Sequence, residues 1–261
     1  MAFQKVPAGN GLQWITEAVN LIMKNPAPFL LMGLVLGVIS MLPIIGGLAL
    51  LVLGPALYGG VMFAASEEQA GRKADFQHLF QAFKEPGKLP KLLMLCLPAV
   101  AAAVILAVLG AILLGGAMLG AGMAASANSS AGLAAFGAGA FVFFLLALAI
   151  GIVSYSLTFF ATPRVMLEGA EPIEAMKDSA RAVLANIGPV LVYIGILLLV
   201  FLVGGAILTF IPVIGMLLLV TVMTPVVCVA SYLAWRQVYR HDITREIPPA
   251  TPPGPPPSVE L

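Results

Sequence analysis

The chain has 261 residues, 61% of them hydrophobic and 10% charged, with mean hydropathy +1.05 and net charge +1. A soluble domain is about 45–50% apolar and about 25% charged, so water is excluded as the main solvent and lipid is implied. With no concentrated basic face, nucleic acid is excluded as a partner.

From the N-terminus, the first feature is amphipathic. Leu12, Ile15, Val19 and Ile22 form an apolar stripe, with Gln13, Glu17, Asn20 and Lys24 opposite. No compact basic stretch precedes an early apolar run, so no cleavable signal is expected. A bilayer core about 30 Å thick needs about 20 apolar residues per helix. Six runs qualify: Pro28 to about Ile45, Leu48 to about Ala65, Leu92 to about Leu119, about Phe136 to Ala161, Ile187 to Phe210, and Val213 to about Trp235. Unpaired backbone is too costly in lipid for anything but helices or closed barrels, and these runs do not alternate. Helices are expected.

The second run is followed by a charged connection. In it Asp75 is a good N-cap for an amphipathic segment with Phe76, Leu79, Phe80 and Phe83 on one face. The third and fourth runs are joined by an uncharged Gly/Ala/Ser stretch around Ser126 to Ser130. A third amphipathic segment begins at Pro172, which suits a first helical turn. Its stripe is Ile173, Met176, Ala180, Val183 and Leu184. The last residues, from Ile247 to Leu261, are Pro-rich and expected to be disordered with polyproline character.

Charge sets orientation. All 13 Lys and Arg residues fall before the first run, after the second, after the fourth or after the sixth. One side therefore carries every positive charge and is expected to be cytoplasmic. Both termini follow to that side.

The punctuation repeats. Three amphipathic segments end in breakers: Asn25-Pro26, Glu85-Pro86-Gly87, and Asn186-Ile187-Gly188-Pro189. Each following pair of runs carries a small-Pro step at Gly54-Pro55, Thr162-Pro163 or Thr224-Pro225. A threefold unit of amphipathic helix, outgoing helix and returning helix is the reading, over about 11–66, 75–168 and 172–240.

Candidate chemistry is sparse. No Asp, Glu, Lys, Arg or His falls within the six apolar cores. Arg164, just after Pro163, has Glu168 one turn on, an ordinary helix-end pair. Hydroxyls gather on the fourth run (Ser154, Tyr155, Ser156, Thr158, Thr162) and the sixth (Thr221, Thr224, Ser231, Tyr232), with Tyr58 and Tyr193 adding to them. Such groups usually bond between helices; lining a polar cavity is the alternative. The candidate cavity or kink residues are thus Pro55, Tyr58, Thr158, Thr162, Pro163, Arg164, Thr221, Thr224 and Pro225. Phe76, Phe80 and Phe83 are candidates for the lipid interface. Gly33-x-x-x-Gly37 and Gly116-x-x-x-Gly120 permit close helix contact. Cys96 and Cys228 read as small buried hydrophobes, and His78 and His241 lie far apart with no ligand cluster. No catalytic triad, phosphate loop or HExxH is present, so an enzyme is disfavoured and no cofactor or metal is expected.

Several stretches together resemble a family of uncharacterised proteobacterial inner-membrane proteins. They are Lys5-Val6-Pro7-Ala8, Gly11-Leu12-Gln13-Trp14, Met41-Leu42-Pro43-Ile44-Ile45-Gly46, Gly54-Pro55-Ala56-Leu57, Gly71-Arg72-Lys73-Ala74-Asp75-Phe76 and Pro172 to Leu184. More distantly, the layout is similar to the membrane domain attached to some glycerophosphodiester phosphodiesterases. No phosphodiesterase domain is present, so the resemblance implies an inner-membrane fold and no activity.

The expectation is an all-α, polytopic, multi-pass protein of the bacterial inner membrane. It comprises a single transmembrane domain over 1–246 and a tail over 247–261. Its expected role is non-enzymatic: organising or sensing membrane lipid or a membrane-protein partner, or forming a homo-oligomer. A small-solute or lipid transporter with a threefold pseudo-repeat is the alternative.

Overall fold

The computed structural model describes residues 3–116, 118–119, 131–208 and 211–239. The connection around 126–130, Arg240, His241, Arg245 and the tail over 247–261 lie outside the described residues. Among those described, regular structure is helical and no strand occurs.

Helix α1 (Asn10–Lys24) meets α2 (Pro26–Met41) at 110°. After α3 (Ile45–Gln69) comes a 3-10 turn (Phe76–Phe80) that runs into a single α-turn (Gln81–Lys84). Next are α4 (Lys88–Met94) and α5 (Leu97–Gly110), the latter extended by a π-turn (Ala111–Gly115). Helix α6 (Ala131–Thr158) is followed by a short turn (Ala161–Pro163) and a π-turn (Arg164–Glu168). The chain continues through α7 (Pro172–Ala185), α8 (Ile187–Leu208) and α9 (Pro212–Tyr239).

Among the described residues, five helical stretches are long and apolar enough to cross a membrane: Ile45–Gln69, Lys88–Gly115, Phe136–Glu168, Ile187–Leu208 and Val213–Tyr239. A sixth is reached if the bent α1–α2 pair is one span. The run expected from Pro28 to Ile45 ends early, at Met41. Pro43 disfavours helix in Leu42, and Ile44 (φ 62°, ψ −59°) forms a tight γ-turn, closed by Ile45 N–H donating to the Pro43 carbonyl at 2.6 Å. Helix α2 is therefore about 24 Å long at 1.5 Å per residue. The expected third run is broken near Cys96, where Pro98 sits in the first turn of α5.

Helix α2 lies along α9. A Cβ on Gly33 would collide with the Thr221 carbonyl and the Pro225 ring, and one on Gly37 would crowd Leu217. Glycine is what lets these backbones touch. Helix α1 crosses α8 and α9; there a Cβ on Gly11 would strike the Pro189 carbonyl. Trp14 is buried, donates its indole N–H to Gln237 Oε1 at 2.6 Å, and meets the Tyr193 ring edge-on.

The inward faces of α1 and α7 differ from the expected stripes. Helix α1 buries Gly11, Trp14, Ala18, Leu21 and Ile22, while Leu12 and Val19 are exposed. Helix α7 buries Pro172, Ala175, Ser179, Ala182 and Val183, while Ile173 and Leu184 are exposed. Small residues sit where each helix presses onto its neighbours, beside Trp14, Leu21 and Ile22 in α1 and Val183 in α7, while Leu12, Val19, Ile173 and Leu184 turn outward. Ser179 has a further reason. It accepts from the Phe160 N–H and donates to the Ser156 carbonyl, repairing the ladder where α6 breaks.

The segment after Asp75 is a 3-10 turn rather than a continuous helix. Asp75 does cap it: its carboxylate accepts from the Gln77 N–H at 2.8 Å, and His78 Nδ1 accepts from the Asp75 N–H at 3.2 Å. Leu79 and Ala82 face in; Phe80 and Phe83 face out.

Helices α5 and α6 pack on each other, and α6 reaches the rest of the protein mainly through α7 at its C-terminal end. Half of the most apolar stretch of α3 is buried, and none of that of Phe136–Glu168.

Candidate cavity between the third, sixth, eighth and ninth helices

That standing-off of α6 leaves a cavity of about 680 Å³ between α3, α6, α8 and α9. The size lies within the range of small-molecule pockets, about 300–1,000 Å³. Its walls are mostly apolar: Met62 from α3, Leu148 and Ile152 from α6, Leu197, Leu198 and Phe201 from α8. Leu148, Ile152, Leu198 and Phe201 are themselves exposed. Helices α6 and α8 do not pack closely on each other, so the cavity opens sideways between them.

Hydroxyls collect toward the α7 end. Tyr58, Tyr155, Thr158, Thr162 and Ser231 line the cavity there, with Thr224 about two turns away from Ser231 on α9. Thr158 donates to the Ser154 carbonyl at 3.2 Å and Thr162 to the Thr158 carbonyl at 3.1 Å. Their protons are committed to their own helix, and their oxygen lone pairs face outward as acceptors. Tyr193 donates its hydroxyl to the Val227 carbonyl at 3.3 Å. Among the described residues no Asp, Glu, Lys, Arg or His lines the cavity.

Of the residues singled out from sequence, Tyr58, Thr158, Thr162 and Thr224 meet in this cavity. Pro55, Pro163, Arg164, Thr221 and Pro225 do not line it. Helices α3 and α9 run on through Pro55 and Pro225. Pro225 and Thr221 lie in the α2–α9 contact, and Pro163 is buried at the break after α6. The α8 wall was not among the singled-out residues, because Ile194, Leu197, Leu198 and Phe201 are indistinguishable in sequence from any lipid-facing run.

Arg164 is a buried tie. Its Nε donates to Glu168 at 3.2 Å, and another guanidinium nitrogen donates to Asp178 of α7 at 2.9 Å. The guanidinium lies 5.2 Å from the Tyr239 ring centre, and the Tyr239 hydroxyl donates to the Asp178 carbonyl. The charge is thus satisfied at the junction of α6, α7 and α9, away from the cavity. Nearby, Lys88 donates to the Met166 carbonyl at 2.6 Å and Lys91 to that of Gly169 at 3.1 Å, placing cations at a helix C-terminus. Lys88 also pairs with Glu85. Burial alone would raise the Glu85 carboxyl, but hydrogen bonds from Lys88 and Gln81 outweigh it and hold the group below the usual carboxylate range.

Phe76, Phe80 and Phe83 stack edge-to-face in series, with centroids 6.0 and 6.3 Å apart. Phe76 is half-buried; the other two are exposed. Cys228 is buried against the cavity and Cys96 is half-buried. Among the described residues no three potential metal ligands converge.

A family model described as a domain of unknown function, DUF7847, matches residues 12–239, and the chain belongs to that family. No curated protein and no solved structure matches it.

Proposed function

We propose that this DUF7847 protein is a multi-pass protein of the bacterial inner membrane that organises or senses lipid by admitting a lipid molecule into the cavity between α3, α6, α8 and α9. The observation that carries this is the sideways opening between α6 and α8, through apolar residues, into an apolar chamber with hydroxyls at one end. A soluble substrate would have to cross lipid to reach this opening; a lipid is already beside it.

Other features support the setting. Positive charge falls on one side of every apolar stretch, which favours cytoplasmic termini. The outward Leu12, Val19, Ile173 and Leu184, and the Phe80 and Phe83 rings, suit a bilayer interface on that side. On this reading the three amphipathic segments each precede a pair of spans, with the α1–α2 bend marking where the chain turns from the interface into the bilayer. The resemblance to proteobacterial inner-membrane proteins agrees. So does the distant one to phosphodiesterase membrane domains, without lending an activity.

A second reading, lipid transport, is favoured by hydroxyls from both α6 and α9 meeting in one chamber. Reconstitution in vesicles with an inner-leaflet fluorescent lipid separates the two. Lipid retained by the protein without exchange between leaflets supports binding; accelerated exchange that Leu198→Trp abolishes supports transport. If no lipid copurifies and Leu198→Trp changes nothing, both readings fail.

A further inference from the structure

The cavity's polar end selects a headgroup. Beside Tyr155, Ser231 and Thr224, its hydroxyls include two kinds that bear on selectivity. Thr158 and Thr162 spend their protons on backbone carbonyls and can only accept. The Tyr58 hydroxyl has no hydrogen-bond partner among the described residues and can donate. No cation lines the chamber to balance a phosphate, and Arg164 is already held by Glu168 and Asp178 outside it. An ionised headgroup would therefore be drawn from water with nothing to pair it.

The polar end lies toward α7, and the apolar end, formed by Ala147, Leu148 and Phe201, lies deeper along the same helices. With α7 at the cytoplasmic interface, a lipid of the cytoplasmic leaflet fits headgroup to hydroxyls and tails inward.

We propose that the lipid taken by this cavity is an uncharged glycerolipid bearing a free hydroxyl beside ester carbonyls, of the diacylglycerol type. Tyr58 donates to an ester carbonyl, and Thr158 accepts the one proton of the lipid hydroxyl. This rests on the lipid-binding reading above and narrows it.

The test uses the full chain in phosphatidylcholine nanodiscs. Two photoreactive probes carry identical tails: a diacylglycerol and a phosphatidic acid. The diacylglycerol is expected to label α6 and α8 peptides at least about tenfold more than the phosphatidic acid. Tyr58→Phe is expected to lower diacylglycerol labelling about three- to tenfold, the worth of one hydrogen bond, without changing phosphatidic acid labelling. Thr158→Val reads the acceptor side in the same way should Tyr58→Phe fail to fold. Equal labelling by both probes, or no effect of either variant, overturns the headgroup assignment while leaving the lipid cavity standing. Labelling by neither probe, in wild type and Leu198→Trp alike, overturns both.

Discussion

Trp14 in the first helix and Gln237 in the last are joined by a hydrogen bond of 2.6 Å, between indole N–H and side-chain carbonyl. Trp14 is fully buried at the crossing of α1 with α8 and α9. Truncation to Ala should cost about 3–5 kcal/mol, through lost packing and the cavity left behind. Trp14→Phe keeps most of the packing and should cost roughly 1 kcal/mol for the bond, plus the smaller ring's shortfall. Thermal unfolding in detergent should rank wild type above Phe above Ala.

Arg164 should be far less replaceable than a surface arginine. Arg164→Met leaves Glu168 without its cation and takes from Asp178 its closer one, at an expected cost of about 3–5 kcal/mol. Asp178→Asn in the same chain should restore part of that. Arg181→Met is the control, because its side chain is mostly exposed and its contact with Asp178 is 3.6 Å; it should change stability by less than about 1 kcal/mol. If the two single variants unfold together, Arg164 is not the tie described.

At Gly33 any side chain meets the α9 backbone. Gly33→Ala should destabilise by about 1–3 kcal/mol, and Gly33→Leu should separate α2 from α9. Gly47, also helical, has open space around its Cα, so Gly47→Ala should be neutral or slightly stabilising. Protease sensitivity between α2 and α3 gives the readout.

Glu85 links stability to acid. Its carboxyl titrates below the ordinary value of a glutamate in the folded protein, so the folded state favours the charged form. That contribution is fully present above the unfolded value, about 4.3, and is lost as pH falls through the lower folded value. Wild type should therefore exceed Glu85→Gln in stability at neutral pH, and the gap should close as pH falls below the unfolded value and through the folded one. Because the pair is partly solvated, added salt should shrink the gap. A difference that persists unchanged into acid would assign the effect to packing instead.

Hydropathy made the long helices legible, and local chemistry made their ends legible: Asp75 caps its turn and Pro172 opens α7. What sequence periodicity missed was which apolar face turns inward. It ranks residues by hydrophobicity, but in α1 and α7 small residues share the inner face with Trp14, Leu21 and Val183, so Ala18, Ala175 and Ser179 lie inside while Leu12 and Leu184 lie outside. In helices long and apolar enough to cross a membrane, hydrophobicity carries little information about direction. The cavity was half legible for the same reason. Its hydroxyls on α6 and α9 stand out from an apolar background, whereas its α8 wall does not. The parting of α6 from α8 depends on how far α5 and α6 lean away, and no local pattern encodes that.

The bent α1–α2 arm finds its main partners, α8 and α9, almost two hundred residues further along the chain. A ribosome delivers those partners last. On the proposed membrane reading, the arm waits in the bilayer through the insertion of every intervening helix, with Gly11 and Gly33 short of their α8 and α9 contacts and the Trp14 indole unclaimed, until α9 arrives. Such late, long-range closure is intrinsically slow. A chain stopped before Pro212 would keep its helices and lose the contacts that make them one body, so quality control has a definite moment at which to act: the docking of the final helix on the first two.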